Sequence, residues 1–196
     1  MPFYRNHNVR ATTPQVFYIW SSTAEAARRA MHVRYSLLGY TYTLLHYANT
    51  KGEKVNHALA REFPNDAPLT STYNQFLLGP SILVTPVLQP NVDYVQGVFS
   101  GVGDGEVWYY CYTLQPVEAR PQENVTLSAP LEHINVHVRG GSILSLHEPG
   151  YITAETRGNA HGLTVALDWK GKANGSSYLN DGVSLVQEAT KLAEVS

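Results

Sequence analysis

The sequence predicts a mixed fold in which one long helix is followed by an antiparallel β-sandwich of short strands. Apolar residues recur at three- and four-residue steps over about residues 22–50, which is the period of one buried helical face. After residue 52 the pattern changes to short runs rich in Val, Ile, Leu and Tyr that are separated by Pro and Gly. Hydrophobic residues make up 43% of the 196 residues, which is enough to build a core, so global disorder is not expected.

The predicted helix has a start, a buried face and an end. Ser22 and Glu25 have the spacing of a capping box, in which the serine accepts from a first-turn amide and the glutamate reaches back. Gly52 can adopt the left-handed conformation that ends a helix, whereas Gly39 is either a weak point or a close-packing position. One helix covers only one side of a core, so about the first 65 residues are expected to belong to a larger folded unit. The buried face comprises Ala26, Ala30, Val33, Leu37, Thr41, Leu44 and Ala48.

The strand-rich region is punctuated by turns at regular spacing, which is typical of a β-sandwich. The glycine-rich loop at 101–105 does not lie between a strand and a helix, so a phosphate-binding loop is not expected there. The end of the chain, 186–196, is expected to form a short polar helix or a frayed segment. Strands are predicted within 76–78, 81–88, 107–112, 134–138, 142–146 and 163–169.

Composition and charge exclude several classes of function. Charged residues make up 15% of the chain and the formal net charge is -2, so neither a nucleic-acid binder nor a polybasic membrane-surface protein is expected. No apolar run approaches the roughly 20 residues that a spanning helix needs, and residues 1–7 lack the apolar region of a signal peptide. Cys111 is the single cysteine, which excludes an internal disulfide framework and a multi-cysteine zinc site.

A search for catalytic or metal-ligating groups finds no strong constellation from spacing alone. His133 and His137 are expected to share one face of a strand, but two histidines without a third ligand make a weak metal site. Cys111, inside an aromatic strand, is expected to be a small buried hydrophobe rather than a nucleophile. The acids weighed as a catalytic pair have no spacing that requires one, and they are interpreted as solvated surface groups: Glu62, Asp66, Asp168 and Asp181.

Six short motifs that occur in one order are more informative than any of these residues. They are PFYRNHN at 2–8, RYSLLxYxYTL at 34–44, EFPND at 62–66, QFLLGP at 75–80, TPVL at 85–88 and VRGGSIL at 138–144. Together they resemble the C-terminal half of glycoside hydrolase family 31, and most closely its fungal secreted α-glucosidases. The resemblance extends over about residues 2–185, which is nearly the whole chain.

The resemblance implies a division of the chain into three parts. Residues 1–68 would be the end of a catalytic (β/α)8 barrel, with the long helix in its last helical region and 62–64 in its last strand. Residues 69–149 would form the proximal C-terminal β-sandwich, and 150–196 would be the start of a truncated distal β-domain. The implied fold class is therefore a C-terminal remnant of a (β/α)8 barrel that is followed by an antiparallel β-sandwich.

The reaction that the resemblance implies is retaining hydrolysis, which releases terminal non-reducing α-linked glucose from maltose-type oligosaccharides. The family uses one aspartate as nucleophile and a second as acid/base, and both precede the Arg-Asn-His motif. Only six residues precede His7 and none is an aspartate, so both catalytic aspartates are absent from this chain and the chain alone is expected to be inactive. His7 matches a family residue that hydrogen-bonds the bound glucose. No cofactor and no metal are implied.

The resemblance also implies partners and a compartment. An α-glucoside is the expected substrate, and neither nucleic acid nor a membrane is expected as a partner. Either an upstream chain with the rest of the barrel or self-association is expected to cover the helical segment. A secreted or extracellular location is implied, and the sequons at Asn124 and Asn174 are candidate N-glycosylation sites.

Two other classes of function stay open at this point. One is a non-catalytic carbohydrate-binding or interaction module derived from the same family, which would use the aromatic residues of the sandwich. The other is a free-standing enzyme with an unrelated site. The aromatic residues considered for the first alternative are Trp108, Tyr109, Tyr110 and Tyr112.

Overall fold

Antiparallel strands dominate the structure, and the longer helices precede them. The computed structural model describes residues 7–66, 69, 72–179 and 192–195. The helices within these ranges are α1 (Ser21–Ser36), α2 (Leu38–Lys51), α3 (Leu59–Glu62) and α4 (Thr153–Gly158). The strands are β1 (Asn56–His57), β2 (Phe76–Leu78), β3 (Ile82–Thr85), β4 (Tyr94–Val98), β5 (Trp108–Tyr110), β6 (Asn124–Ser128), β7 (Asn135–Arg139), β8 (Ser142–His147), β9 (His161–Ala166), β10 (Gly175–Tyr178) and β11 (Leu192–Val195).

The central sheet has five strands in the order β1-β2-β3-β7-β5, and every neighbouring pair in it is antiparallel. The pairs β4–β6, β8–β9 and β10–β11 are antiparallel as well. Strands β3 and β7 are buried along almost their whole length, because layers of the protein cover both faces of the central sheet. The predicted antiparallel arrangement is therefore confirmed.

One face of the central sheet packs against α2 and β8. Successive side chains along a strand point to opposite faces, so Ile82 and Val84 reach this face whereas Leu83 reaches the other. Tyr40 of α2 also donates its hydroxyl to the Leu78 carbonyl at 3.0 Å, which ties the helix to the sheet. The buried cluster on this face is Leu37, Tyr40, Leu44, Leu78, Ile82, Val84, Val136, Val138, Leu144 and Ala166.

The opposite face of the central sheet packs against the β4–β6 pair and α3, which form the second layer of the sandwich. Trp108 is 2% exposed there and donates from Nε1 to the Ser100 carbonyl at 2.9 Å. Each large apolar side chain that is fully buried in such a layer contributes about 1.5–3 kcal/mol. The cluster comprises Leu59, Leu69, Leu77, Leu83, Phe99, Trp108 and Leu127.

The single helix expected over about 22–50 is wrong in one respect, because α1 and α2 are separated at Leu37 (φ -83°, ψ 7°). Next to this break the Ser36 hydroxyl donates to the Val33 carbonyl at 2.8 Å. Such bonds compete with the backbone hydrogen bonds of a helix and are a known cause of bends. Leu37 itself is buried, at 4% exposure, as the apolar period predicts.

The predicted capping box is also wrong. α1 begins at Ser21 and has no side-chain hydrogen bond at its cap. The Glu25 carboxylate binds Arg28 and Arg29 instead, and Nε of Arg29 lies 3.0 Å from Oε1 of Glu25. Opposite charges three and four residues apart meet on one helical face. The glutamate therefore pairs with these arginines and not with a backbone amide at the start of the helix.

Both glycine predictions for the helical segment are confirmed. Gly52 ends α2 in the left-handed conformation, with a φ of 70°. Gly39 is a close-packing position, since a Cβ at this residue would lie 2.8 Å from Cε1 of His147 and 3.1 Å from Oγ of Ser145. The missing side chain therefore lets α2 lie directly against β8.

The segment 62–64, which the resemblance implies to be the last barrel strand, is not a strand. Glu62 is the last residue of α3, and the Phe63 amide donates to the Leu59 carbonyl at 2.9 Å. This helical turn buries Leu59 at 2% exposure and brings Glu62 to the side chain of Arg139. The turn therefore satisfies one apolar contact and one ion pair together, which an extended segment with alternating side chains would not do.

The sequence pattern does not predict β1, β4, β6 or β10, which are short or rich in polar residues. β4 contains Gln96 and Gly97, and its partner β6 contains Asn124 and Thr126, so neither strand has a continuous apolar run. At the end of the chain, the interpretation of 186–196 as a helix or a frayed end is wrong for β11, which pairs with β10 in an antiparallel ladder.

Strands β8 and β9 pair across the division that is predicted at residue 149, from Ser142↔Ala166 to His147↔His161. The amide of Tyr178 in β10 also donates to the Thr43 hydroxyl of α2 at 3.0 Å. The described residues after 150 are thus in contact with both the helical segment and the sandwich, and the three-part division itself stays a prediction. None of the helices in the described ranges has the length and apolar character needed to cross a membrane.

Candidate functional site

His7, the sugar-contact residue implied by the resemblance, is the first described residue and is exposed. It precedes a turn in which the Thr12 hydroxyl donates to the Val9 carbonyl at 2.7 Å and Asn8 Nδ2 donates to the Thr12 hydroxyl at 3.3 Å. His7 lines neither of the two clefts described below. Its role as a sugar ligand therefore stays a prediction that rests on the motif.

The acids considered as a catalytic pair have separate structural partners. Asp66 accepts from the Gly101 amide at 3.1 Å. The Oδ1 atom of Asp168 accepts from the amides of Lys170 and Lys172, each at 2.8 Å, and so shapes the turn after β9. Asp181 lies outside the described residues. No acid/base pair is formed by these groups within the described part of the chain.

Arg139 at the end of β7 is the centre of a half-buried charge network. Its Nη1 donates to Oε1 of Glu62 at 2.8 Å, its Nε donates to Oε2 of Glu106 at 2.9 Å, and its Nη2 binds the other Glu106 oxygen. The guanidinium carbon lies 4.8 Å from the centre of the Phe63 ring. The hydrogen bonds from Glu106 raise the pKa of Arg139. Both carboxylates are therefore paired with one cation, which offsets only one of their two charges, and their position is structural.

The two histidines considered as metal ligands are not a pair on one strand face. His137 lies in β7 and is fully buried, whereas His133 precedes the strand and donates its amide to the Pro130 carbonyl at 2.9 Å. Burial lowers the pKa of His137 to about 4, so the ring is neutral at physiological pH. Among the described residues, no three His, Cys, Asp or Glu side chains lie close enough together to hold a metal ion.

The aromatic residues considered for sugar binding are used to build the sandwich. Trp108 is 2% exposed and cannot stack on a ligand in this fold. Tyr109 donates its hydroxyl to the Leu167 carbonyl, and Tyr112 donates to the Ile134 carbonyl, each at 2.8 Å. Although Tyr112 is 47% exposed, the hydroxyl groups of Tyr109 and Tyr112 hold neighbouring segments, so these residues have structural roles.

Cys111 follows β5 and is half-buried. Burial raises the pKa of the thiol, so the thiolate that a nucleophile needs is disfavoured. The thiol also packs against the cluster formed with α2. These observations agree with the prediction of a small buried hydrophobe.

A cleft of about 960 Å³ is here called the polar cleft. It lies where α2 meets the turn after β2, the loop after β4, the turn after β7 and the loop after β9. Its lining residues are Tyr40, Thr43, Leu44, Tyr47, Glu53, Pro80, Ser81, Asp104, Gly105, Glu106, Arg139, Gly140, Gly141, Ser142, Ile143, Asp168, Trp169, Asn174, Gly175 and Ser176.

Trp169 gives the polar cleft an exposed aromatic wall, since 67% of this residue is accessible to solvent. Sequence reasoning does not single it out, although an aromatic residue in a polar turn directly after a strand is the signal that could have found it. Carboxylates from Glu53, Asp104, Glu106 and Asp168 line the same cleft, and Arg139 is the only cation among the described residues of its lining. Because Arg139 is held by two carboxylates, the described cleft has an excess of negative charge.

A second cleft, of about 440 Å³, lies between α2, α4 and the β8–β9 hairpin and is mainly apolar. His147 is 7% exposed there, and its ring centre lies 4.0 Å from that of His161 on the paired strand. Burial lowers the pKa of His147, and the neighbouring His161 adds to this shift. The walls of this apolar cleft include Leu38, Tyr42 and Leu45.

The two sequons have different surroundings. Asn124 is exposed at the start of β6, opposite Val98 of β4. Asn174 is also exposed, but it lines the polar cleft. Its backbone is held on both sides, because its amide donates to the Gly141 carbonyl at 3.0 Å and its carbonyl accepts from the Ile143 amide at 2.9 Å.

Comparisons with known proteins identify two family models along the chain. The model of the glycosyl hydrolase family 31 TIM-barrel domain matches residues 1–44. The model of the family 31 C-terminal domain matches residues 52–144. These matches confirm the family resemblance and the fold class, in which the end of a barrel domain precedes a β-sandwich.

Individual proteins are similar over almost the whole chain. An α-glucosidase of Aspergillus oryzae is 52% identical over 189 residues, which is 96% of this chain and 19% of the relative. A protein named glucoamylase 1 of Schwanniomyces occidentalis is 51% identical over 195 residues, 100% of this chain and 20% of the relative. The chain thus spans about a fifth of the length of these relatives. The crystal structure of the glucosidase II alpha subunit (alpha3-Glc2-bound) has a TM-score of 0.84 at 26% identity and covers 95% of this chain and 20% of that one.

Proposed function

Because the chain belongs to glycosyl hydrolase family 31, we propose that it is the C-terminal part of a retaining α-glucosidase. The enzyme would release terminal non-reducing α-linked glucose from maltose-type oligosaccharides. The observation that carries this proposal is the 52% identity to an α-glucosidase over 96% of the chain. A two-carboxylate mechanism needs a nucleophile and an acid/base at the scissile bond. The acids weighed as a catalytic pair form no such pair within the described residues, so both catalytic groups would come from outside this chain.

The role proposed for this chain in the reaction is to position the substrate. His7 would donate a hydrogen bond to the glucose at the cleavage point and would hold the ring in a reactive orientation. His7 is exposed in the described structure. A donor at this place strengthens its contact as charge develops in the transition state, so its loss should affect kcat more than KM.

The remaining barrel is the proposed partner of the helical segment. Large apolar residues before and at the start of α1 are exposed, among them Tyr18 at 83% and Trp20 at 54%. An apolar surface of this kind is typical of a face that another part of a protein covers. The cover would be the upstream part of the barrel, and a secreted or extracellular location is proposed with it, which the two sequons support.

The proposal is tested with the full-length protein and purified variants. We expect His7→Ala to lower kcat/KM for maltose by about 10²-fold, since one positioned hydrogen-bond donor has an effect of this size. Asn124→Gln, at an exposed position of β6, is the matched control and should leave kcat/KM unchanged. The 196-residue chain alone should hydrolyse neither maltose nor an aryl α-glucoside. Turnover that follows the purified chain, or equal effects of the two substitutions, would contradict the proposal.

A further inference from the structure

We propose that the polar cleft is a carbohydrate-binding site that takes a neutral oligosaccharide of a few sugar units. The inference rests on the proposed function for the choice of ligand class, and on the geometry of the cleft for the place. A volume of about 960 Å³ is at the upper end of the range for ligand-binding clefts. Such a cleft can hold more than one sugar ring.

The floor of the polar cleft is built before any ligand arrives. Amides of the turn after β7 are fixed to two other elements, because Gly140 donates to the Val107 carbonyl and Gly141 donates to the Ala166 carbonyl, each at 2.7 Å. A Cβ at Gly140 would lie 2.8 Å from the Leu167 carbonyl oxygen, so only glycine allows this close approach. A floor held in this way does not have to be ordered upon binding, which favours affinity.

The charges of the cleft favour a neutral ligand that is rich in hydroxyl groups. Carboxylates of Glu53 and Asp104 add to that of Asp168, while the one cation of the described lining, Arg139, is already bound by two carboxylates. An anionic ligand would be repelled by this excess of negative charge. The acids do not form a metal site within the described residues. A neutral sugar is not repelled by the carboxylates, and its hydroxyl groups can donate hydrogen bonds to them.

Trp169 supplies the apolar contact that a pyranose needs. Its indole lies beside Gly105, where a Cβ would be 3.3 Å from Cδ1 and Nε1 of the ring. The ammonium of Lys170 lies 4.7 Å from the ring centre. Lys170 is exposed, so a sugar can displace its flexible side chain and place its C–H face on the indole. The aromatic wall and the acceptors thus face the same space.

The same sugar chemistry has two sources, a free α-glucan or a glycan that the chain itself carries at Asn174. In the second case the Asn174 amide nitrogen loses a proton and forms a bond to C1 of an N-acetylglucosamine, while the bond from C1 to a polyprenyl diphosphate donor breaks. Asn174 is exposed within the lining, and its backbone is fixed by Gly141 and Ile143. A glycan attached here starts inside the polar cleft.

The experiment uses the full-length protein with two pairs of matched variants. Trp169→Ala removes the aromatic wall, and Tyr94→Ala removes a similarly exposed ring on β4, outside the cleft. Asn174→Gln removes the sequon at the cleft, and Asn124→Gln removes the other one. The readouts are KM and kcat for soluble starch and for maltose, retardation in a starch-containing native gel, thermal stability, and mass spectrometry of the peptide that contains Asn174.

If the ligand is a free glucan, Trp169→Ala should raise KM for starch about tenfold and abolish gel retardation, while KM for maltose stays unchanged. In this case Asn174→Gln should change neither KM for starch nor gel retardation. If the ligand is the attached glycan, the Asn174 peptide should carry it, and Trp169→Ala and Asn174→Gln should lower Tm by the same, non-additive amount. The proposal is overturned if Trp169→Ala matches Tyr94→Ala in every readout. Gel retardation and Tm do not depend on turnover. The proposal for the polar cleft can therefore be overturned while maltose hydrolysis is observed, and the proposed function can be overturned while the cleft still binds sugar.

Discussion

Nη1 of Arg139 donates to Oε1 of Glu62 at 2.8 Å, although the two residues are 77 positions apart in the chain. Each belongs to one of the six motifs, Glu62 to EFPND and Arg139 to VRGGSIL. The Arg139 side chain is 20% exposed and that of Glu62 is 30% exposed, so each would be left with a poorly solvated charge without the other. This pair gives the joint occurrence of the two motifs a structural reason, in addition to any role in catalysis.

We expect Arg139→Leu to lower the free energy of unfolding by about 2 kcal/mol, because it leaves two half-buried carboxylates without their cation. The loss stays below that of a fully buried pair, since solvent reaches all three side chains. Arg120→Leu is the control, as its pair with Glu123 is 85% and 54% exposed, and should cost less than about 0.5 kcal/mol. Denaturant unfolding of both variants checks this, and similar losses would refute the structural role of Arg139.

The stability of the protein should fall as the pH is lowered from about 6.5 to about 4, in part because of His137. Burial holds the pKa of this histidine at about 4, below its ordinary value of 6.5. The unfolded chain therefore binds a proton in this window that the folded chain does not bind, which favours unfolding by about 3 kcal/mol at the acid end. His137→Gln should make the dependence flatter, whereas His32→Gln, at an exposed position of α1, should not. A slope that is unchanged in His137→Gln would contradict the prediction.

Replacement of Gly39 by alanine should destabilise the protein by about 1–3 kcal/mol, the usual cost of overpacking a core. The new Cβ would meet Cε1 of His147 at 2.8 Å, and the His147 ring is buried and cannot move freely. Gly158→Ala is a suitable control because nothing lies within 4 Å of a Cβ at that residue, and its Tm should not fall. Thermal unfolding compares the two variants, and an unchanged Tm for Gly39→Ala would mean that α2 and β8 separate easily.

Cys111 should react slowly with iodoacetamide at neutral pH. Burial raises the pKa of its thiol and restricts access of the reagent, so both the thiolate fraction and the encounter rate are reduced. We expect full reaction only in denaturant, which mass spectrometry of the peptide containing Cys111 can follow with time. Complete alkylation within minutes under native conditions would show that the strand end at Cys111 opens readily.

How much of the fold can be predicted from the sequence depends on how deeply each element is buried. The apolar run 76–78 coincides with β2, because both faces of that strand are covered and every position selects an apolar residue. β4 is different, since only one of its faces is covered and Gln96 and Gly97 interrupt its pattern. The break at Leu37 has no apolar signal either, because the period continues through it.

The candidate sites divide in the same way. His7 can be proposed from a contiguous motif, as its neighbours in the chain carry the family pattern. The polar cleft cannot be found in this manner, because Asp104, Trp169 and Asn174 come from different loops. The aromatic residues between Trp108 and Tyr112 are misleading in sequence, because residue type alone does not show whether an aromatic side chain is buried or exposed to a ligand.

The sequence by itself determines the family, the order of a barrel end and a β-sandwich, and the buried strands of the central sheet, because these depend on contiguous motifs and local period. Only the tertiary structure decides that Glu62 and Glu106 share Arg139, that the ring of His147 packs against Gly39, and that Trp169 and Asn174 line the same cleft. These relationships join residues from separate loops and layers. Their contact energies arise only when the chain is packed, so no local pattern of residues records them.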